Sequence, residues 1–89
     1  MLNPRYRSVF KKDVKLAKKR GLNLQDLATV ITWIIEEQPL PEVLRNHKLV
    51  GEWIGRWECH LAPDWLLIYK LDGEDVIFER TGTHADLFE

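Results

Sequence analysis

One cysteine, Cys59, is all that these 89 residues contain. No internal disulfide can form, and the chain suits a reducing compartment. No C-x-x-C or H-x-x-x-H spacing occurs, so the usual metal-ligand signatures are absent. The longest mostly apolar run, Ala28 to Ile35, is far too short to cross a bilayer. Early basic residues have no apolar stretch behind them, which argues against a secretory leader. Repeats and low-complexity segments are missing as well. These absences predict a cytoplasmic, non-membrane protein that uses no cofactor and no metal.

A large net charge is also lacking, but the charges are unevenly placed. With 13 basic and 14 acidic residues the chain is at −1. Residues 1–20 hold eight of the basic residues against Asp13 alone, a local +7. Such a basic segment is either a footprint for phosphate backbones or a solvated helix face. Apolar residues make up 45% of the chain, enough for a packed core and too many for disorder. The length allows one domain, residues 1–89.

The hydrophobic period changes midway. Phe10, Val14 and Ala17 recur at helical spacing, with Val9 and Leu16 beside them and lysines opposite, and Gly21 supplies a stop. Asn23 is placed as an N-cap for a second helix whose stripe is Leu24, Leu27, Ala28, Ile31, Ile34 and Ile35. Pro39 and Pro41 end it. The spacing predicts an antiparallel helical hairpin.

From Arg56 the period is two. Trp57, Cys59 and Leu61 alternate with Arg56, Glu58 and His60, as in a half-buried strand. Trp65–Leu71 is apolar enough for a central strand covered on both faces, and Val76–Thr81 is a third. Asp72-Gly73-Glu74-Asp75 turns between them. Thr83 with Asp86 opens a short C-terminal helix. The expected architecture is α+β, with the hairpin on one face of a curved antiparallel sheet and the other face free for function. Pro4, lacking an N–H, counts against a paired strand near the N-terminus.

All three histidines fall in the second half, with His47 placed in the loop before the sheet. His60 ends the first strand, Asp64 opens the second, and His84 follows the third. In an antiparallel meander those three positions share one edge. Imidazoles with a carboxylate suit acid–base chemistry near neutral pH, such as RNA cleavage by its own 2′-hydroxyl. Arg80 supplies a guanidinium for phosphate, and the start of the last helix free N–H groups. Isolated histidines in small proteins are more often structural, and Asp64 is equally a turn residue after Pro63. Zinc ligation is disfavoured because alternation turns Cys59 away from His60. The tryptophans Trp33, Trp53, Trp57 and Trp65 could stack on bases, although core packing is the default for Trp57.

Three blocks, HKLVGEW (47–53), RWECHLAPDWLLIYKL (56–71) and FERTGTHADLF (78–88), stand in order. They resemble the matching blocks of YafQ-type toxins of the RelE superfamily, and KKDVKLAKKRG (11–21) is similar to that family's basic first helix. The resemblance implies a RelE-like fold. It also implies a toxin of a type II toxin–antitoxin system, a ribosome-dependent endoribonuclease that cuts mRNA in the decoding site. Implied catalytic residues are His47, His60, Asp64 and His84. Arg80, Trp65 and Phe88 would bind substrate, with His47 and Arg80 holding the phosphate and Trp65 and Phe88 shaping a base pocket. His60 or Asp64 would take the 2′ proton and His84 donate to the leaving oxygen, although the sequence leaves base and acid open. Lys11, Lys12, Lys15, Lys18 and Lys19 would meet small-subunit rRNA. Implied partners are a DinJ-like antitoxin, the ribosome and mRNA, with the free toxin monomeric. Two alternatives differ in class: a ParE-like toxin acting on gyrase, and a non-enzymatic RNA-binding module.

Overall fold

A computed structural model describes residues 1–88; Glu89, the last residue of the expected domain, lies outside them. The elements follow the period change: β1 (Asn3–Tyr6), α1 (Ser8–Lys19), α2 (Leu24–Ile35), β2 (His47–Lys48), β3 (Arg56–Ala62), β4 (Trp65–Asp72), β5 (Asp75–Gly82) and α3 (His84–Phe88). They form a five-stranded sheet ordered β1-β5-β4-β3-β2. Both N-terminal helices pack on one face, giving the expected α+β arrangement. Among the described residues no helix is long and apolar enough to cross a membrane.

The sheet is mixed rather than wholly antiparallel. β1 pairs parallel to β5, with Pro4 opposite Val76. Pro4 does not prevent this, because β1 lies at the edge and only alternate residues turn their N–H inward. Asn3 donates to Glu74 O at 2.8 Å and Arg7 to Phe78 O at 3.2 Å, so the intervening even positions face outward. His47 is also relocated. It lies in β2 opposite Glu58, in a strand of two residues that is too short to show a period.

The core sits between the helices and the sheet. Phe10 and Ala17 of α1 and Leu27, Val30 and Ile34 of α2 meet Cys59, Trp65, Leu67, Tyr69, Val76 and Phe78. Val9, Leu16 and Ala28, counted or flanked into the apolar stripes from sequence, are exposed, and Val30 takes the place of Ala28. Asn23 caps α2, accepting from Gln25 N at 2.9 Å. On the opposite face Leu66, Ile68 and Leu87 form a second, smaller cluster with Leu49 and Trp53 against it. That face therefore carries its own apolar floor.

The third strand's end is tied back to α1. A bulge at Ile68/Tyr69 puts Glu79 and Arg80 out of strict alternation. Arg80 then reaches round to Asp13, donating through Nε at 2.7 Å and Nη2 at 3.1 Å. Beyond it, Thr83 and Asp86 cap α3 reciprocally at 3.0 Å, and Arg20 from the end of α1 donates to Asp86 at 2.6 Å. Gly82 is required here, since a Cβ on it would stand 2.8 Å from Asp86 Oδ2.

These contacts hold the Asp86 carboxyl well below the usual carboxylate range, the Arg20 guanidinium first and the Thr83 N–H next. A lowered folded pKa stabilises above the unfolded value, near pH 4, and that contribution is lost as pH falls through the folded value. Asp86→Asn is expected to cost about 1–2 kcal/mol at pH 7, mostly through the cap because Arg20 is solvent-screened. Thermal melts should show the gap from wild type closing below pH 4.

Candidate functional site

Five titratable side chains from β2, β3, the turn between β3 and β4 and the start of α3 converge on the face opposite the helices. His60 and Glu58, two apart on β3, point the same way, and His47 of β2 stands across from Glu58. His60 Nε2 lies 2.8 Å from Glu58 Oε1 and His47 Nε2 3.7 Å from the same oxygen. His47 Nδ1 lies 2.6 Å from Arg45 O, so that nitrogen carries the proton and Nε2 faces the site. Glu58 is 5% exposed, a buried carboxylate between two imidazoles.

His84 forms a second acid–base pair. Asp64 Oδ1 accepts from His84 N at 2.9 Å and lies 2.7 Å from His84 Nδ1. The His84 backbone N–H, then its ring, holds the Asp64 carboxyl below its usual range. Asp64 therefore stays ionised at neutral pH and fixes His84 with Nε2 outward. The His60 and His84 rings are 5.9 Å apart and those of His47 and His60 6.1 Å. A cleft of about 640 Å³ opens beside them, lined by Val43, Leu44, Arg45, His60, Leu61, Ala62, Pro63 and His84.

The structure thus brings His47, His60, Asp64 and His84 together. Other expected residues fall elsewhere. Trp65 is 4% exposed in the helix-side core, donating its indole N–H to Thr81 Oγ1 at 3.0 Å, so it cannot wall a base pocket. The helix-side face was set by alternation: Trp65, Leu67 and Tyr69 share it. Arg80 has two of its three nitrogens committed to Asp13 and is not set to fork a phosphate. The N–H groups at the start of α3, expected to be free, go to Asp64 and Asp86. Phe88 does reach the open face, its ring 6.3 Å from His84. All five lysines of α1 are exposed on the far side of the sheet.

Two residues were missed. Glu58 was legible as the i−2 neighbour of His60 on the same strand face. Arg45, two before His47, lines the histidine cleft where Arg80 was expected, and its left-handed backbone (φ 49°) aims the chain there. His47, Glu58 and His60 also offer ligand atoms within 4.8 Å of one another, a set able to hold a transition metal. Cys59 takes no part: it faces the core, where burial pushes the thiol up to about 12.

The family described as "Bacterial toxin of type II toxin-antitoxin system, YafQ" matches residues 2–89. The chain is 48% identical over 84 residues to "mRNA interferase toxin YafQ" of Escherichia coli K12, covering 93% of this chain and 91% of that protein. It superposes on YafQ in the E. coli DinJ–YafQ complex with a TM-score of 0.93, at 44% identity over the whole of both chains. A metal-bound toxin from Helicobacter pylori gives a TM-score of 0.92 at 36% identity, covering 99% of this chain and 100% of that one. The sequence blocks, the fold and the family match agree: this chain belongs to the YafQ family of toxins of type II toxin–antitoxin systems.

Proposed function

We propose that residues 1–89 act as one toxin domain, an endoribonuclease that cuts mRNA on the ribosome by acid–base catalysis in the cytoplasm. The observation that carries this reading is the pairing of two imidazole–carboxylate dyads, His60–Glu58 and His84–Asp64, with rings 5.9 Å apart. Neighbouring proteins named as mRNA interferases support it.

In this mechanism the 2′-oxygen attacks the adjacent phosphorus while the 5′-oxygen departs. His60, its Nε2–H given to Glu58, takes the 2′ proton on Nδ1. His84, its Nδ1–H given to Asp64, protonates the leaving oxygen from Nε2. The products are a 2′,3′-cyclic phosphate and a 5′-hydroxyl, so atoms and protons balance without water. Asp64, being held ionised, stabilises the His84 imidazolium and is not the base. Arg45 lines the cleft and His47 stands beside His60, their rings 6.1 Å apart, to meet the phosphate charge, with Arg80 able to offer only Nη1.

No step passes through a metal. A transition metal on His47, Glu58 and His60 would occupy the base and block it. The test is a reconstituted translation system programmed with a defined mRNA, with breaks mapped by primer extension. Cuts inside codons only on translating ribosomes, unchanged by a zinc-selective chelator that leaves magnesium in place and suppressed by added zinc, are expected. Intact message would instead favour a target such as gyrase, for which the paired dyads have no use.

The basic helix would meet rRNA phosphates, since among the described residues none of Lys11, Lys12, Lys15, Lys18 and Lys19 forms an ion pair. Reversing three of these charges should weaken ribosome binding at least tenfold and flatten its salt dependence by about 0.7 per lost single-stranded phosphate contact. Co-sedimentation across a salt series measures both, and an unchanged slope would remove the helix from the interface. A DinJ-like antitoxin is the expected protein partner, which the DinJ complex of the E. coli relative supports, and the free toxin is expected to be monomeric.

A further inference from the structure

A second cleft, of about 620 Å³, lies on the histidine face and is lined by Glu52, Trp53, Arg56, Glu79, Leu87 and Phe88. An unbroken row of rings leads to it. Successive centroids from His47 through His60, His84 and Phe88 to Trp53 are 6.1, 5.9, 6.3 and 5.8 Å apart. At the end of the row Trp53 and Phe88 meet edge to face at 79°. The floor beneath is the cluster of Leu66, Ile68 and Leu87. Phe88 is 42% exposed, so packing alone does not account for where it is held.

The walls decide what the cleft can take. Glu79 is 4% exposed and bound to Arg56 Nε at 2.8 Å, with Arg7 at 3.9 Å, so its charge is already balanced. Glu52 adds a further carboxylate at the rim. A phosphate would meet repulsion there, whereas an uncharged planar group would find aromatic faces and an apolar floor. Single-stranded RNA offers that combination, with phosphates beside Arg45 and the histidines and bases free to leave the strand.

We propose that Trp53 joins Phe88, which the family resemblance already assigns to the base pocket, as the second wall of a base-stacking subsite for the nucleotide that adjoins the scissile phosphate. The inference rests on the RNA-cleaving reading above and adds a site to it. Because the corner reads a π-face rather than a hydrogen-bond pattern, purines bind better than pyrimidines, and sequence choice there is graded.

The test uses uncleavable 2′-O-methyl hexanucleotides, all-adenosine or all-uridine, titrated into the full chain and followed by NMR. The Trp53 indole signal is identified by its loss in Trp53→Phe. The expected result is movement of that indole together with the imidazole signals, tighter binding of the adenosine probe, and a 5- to 150-fold loss of its affinity in Trp53→Leu, the range for one stacked base. Trp53→Phe should keep most of the affinity. Imidazole movement with a still indole overturns the subsite while leaving the cleavage reading in place. So does a Trp53→Leu protein of unchanged Tm that binds like wild type, or indole movement without the imidazoles. Stillness at every imidazole and at the indole removes both readings. Should Trp53→Leu fail to fold, the wild-type indole still decides.

Discussion

His84→Ala is expected to lower the cleavage rate by about 10²–10⁴, the usual worth of a positioned general acid. The loss should fall on kcat more than on KM, because the leaving oxygen needs its proton only in the transition state. The ring is held from two directions, Nδ1 by Asp64 at 2.7 Å and the backbone by the capped start of α3. No nearby imidazole can reach the same spot, since His60 is committed to Glu58. A pH–rate profile separates the roles. Wild type should give a bell whose acid-requiring limb disappears in His84→Ala. Asp64→Asn should keep both limbs of the bell and reduce its height, because the carboxylate orients and stabilises the imidazolium and does not itself exchange a proton. Wild-type rates in His84→Ala would refute the assignment, and a limb lost in Asp64→Asn would make Asp64 the base.

The second large effect is on stability. Trp65→Ala is expected to cost about 3–5 kcal/mol, the range for deleting a buried aromatic. For a domain of this length the total is roughly 5–13 kcal/mol, so half or more could go. Tm should fall by at least about 12 °C. The indole lies among Leu67, Tyr69 and Phe78 on the helix side, and its loss also strips Thr81 Oγ1 of a donor. Trp65→Phe should recover most of the melting temperature and leave turnover per folded molecule at the wild-type level. A Trp65→Phe protein that folds normally but cleaves at a tenth of the rate would return Trp65 to the substrate pocket. Melts and single-turnover cleavage on the same preparations distinguish these.

Much of the frame could be read locally. A change of hydrophobic period from 3.6 to 2 is a property of consecutive residues, so α1, α2 and the meander β3-β4-β5 were predicted close to their observed bounds. Caps are equally local, as at Asn23 and Thr83. The gathering of His60, Asp64 and His84 followed from strand lengths and antiparallel turns alone. Glu58 belongs with them by the same alternation, which puts it beside His60, although locally its carboxylate reads only as the polar half of a strand pattern.

What the sequence could not determine by itself depends on partners distant in the chain. Which way Trp65 faces, that Asp13 takes two nitrogens of Arg80 across 67 residues, and that Arg20 latches Asp86 across 66 are outcomes of packing. Pro4 sits in a paired strand because the fold leaves that strand at an edge, where its missing N–H points to solvent. Local sequence sets the period and the turns, so it determined the elements and which residues could do chemistry. Only the tertiary structure decided which charges are already neutralised by a neighbour, and hence which side chains remain free to meet a substrate.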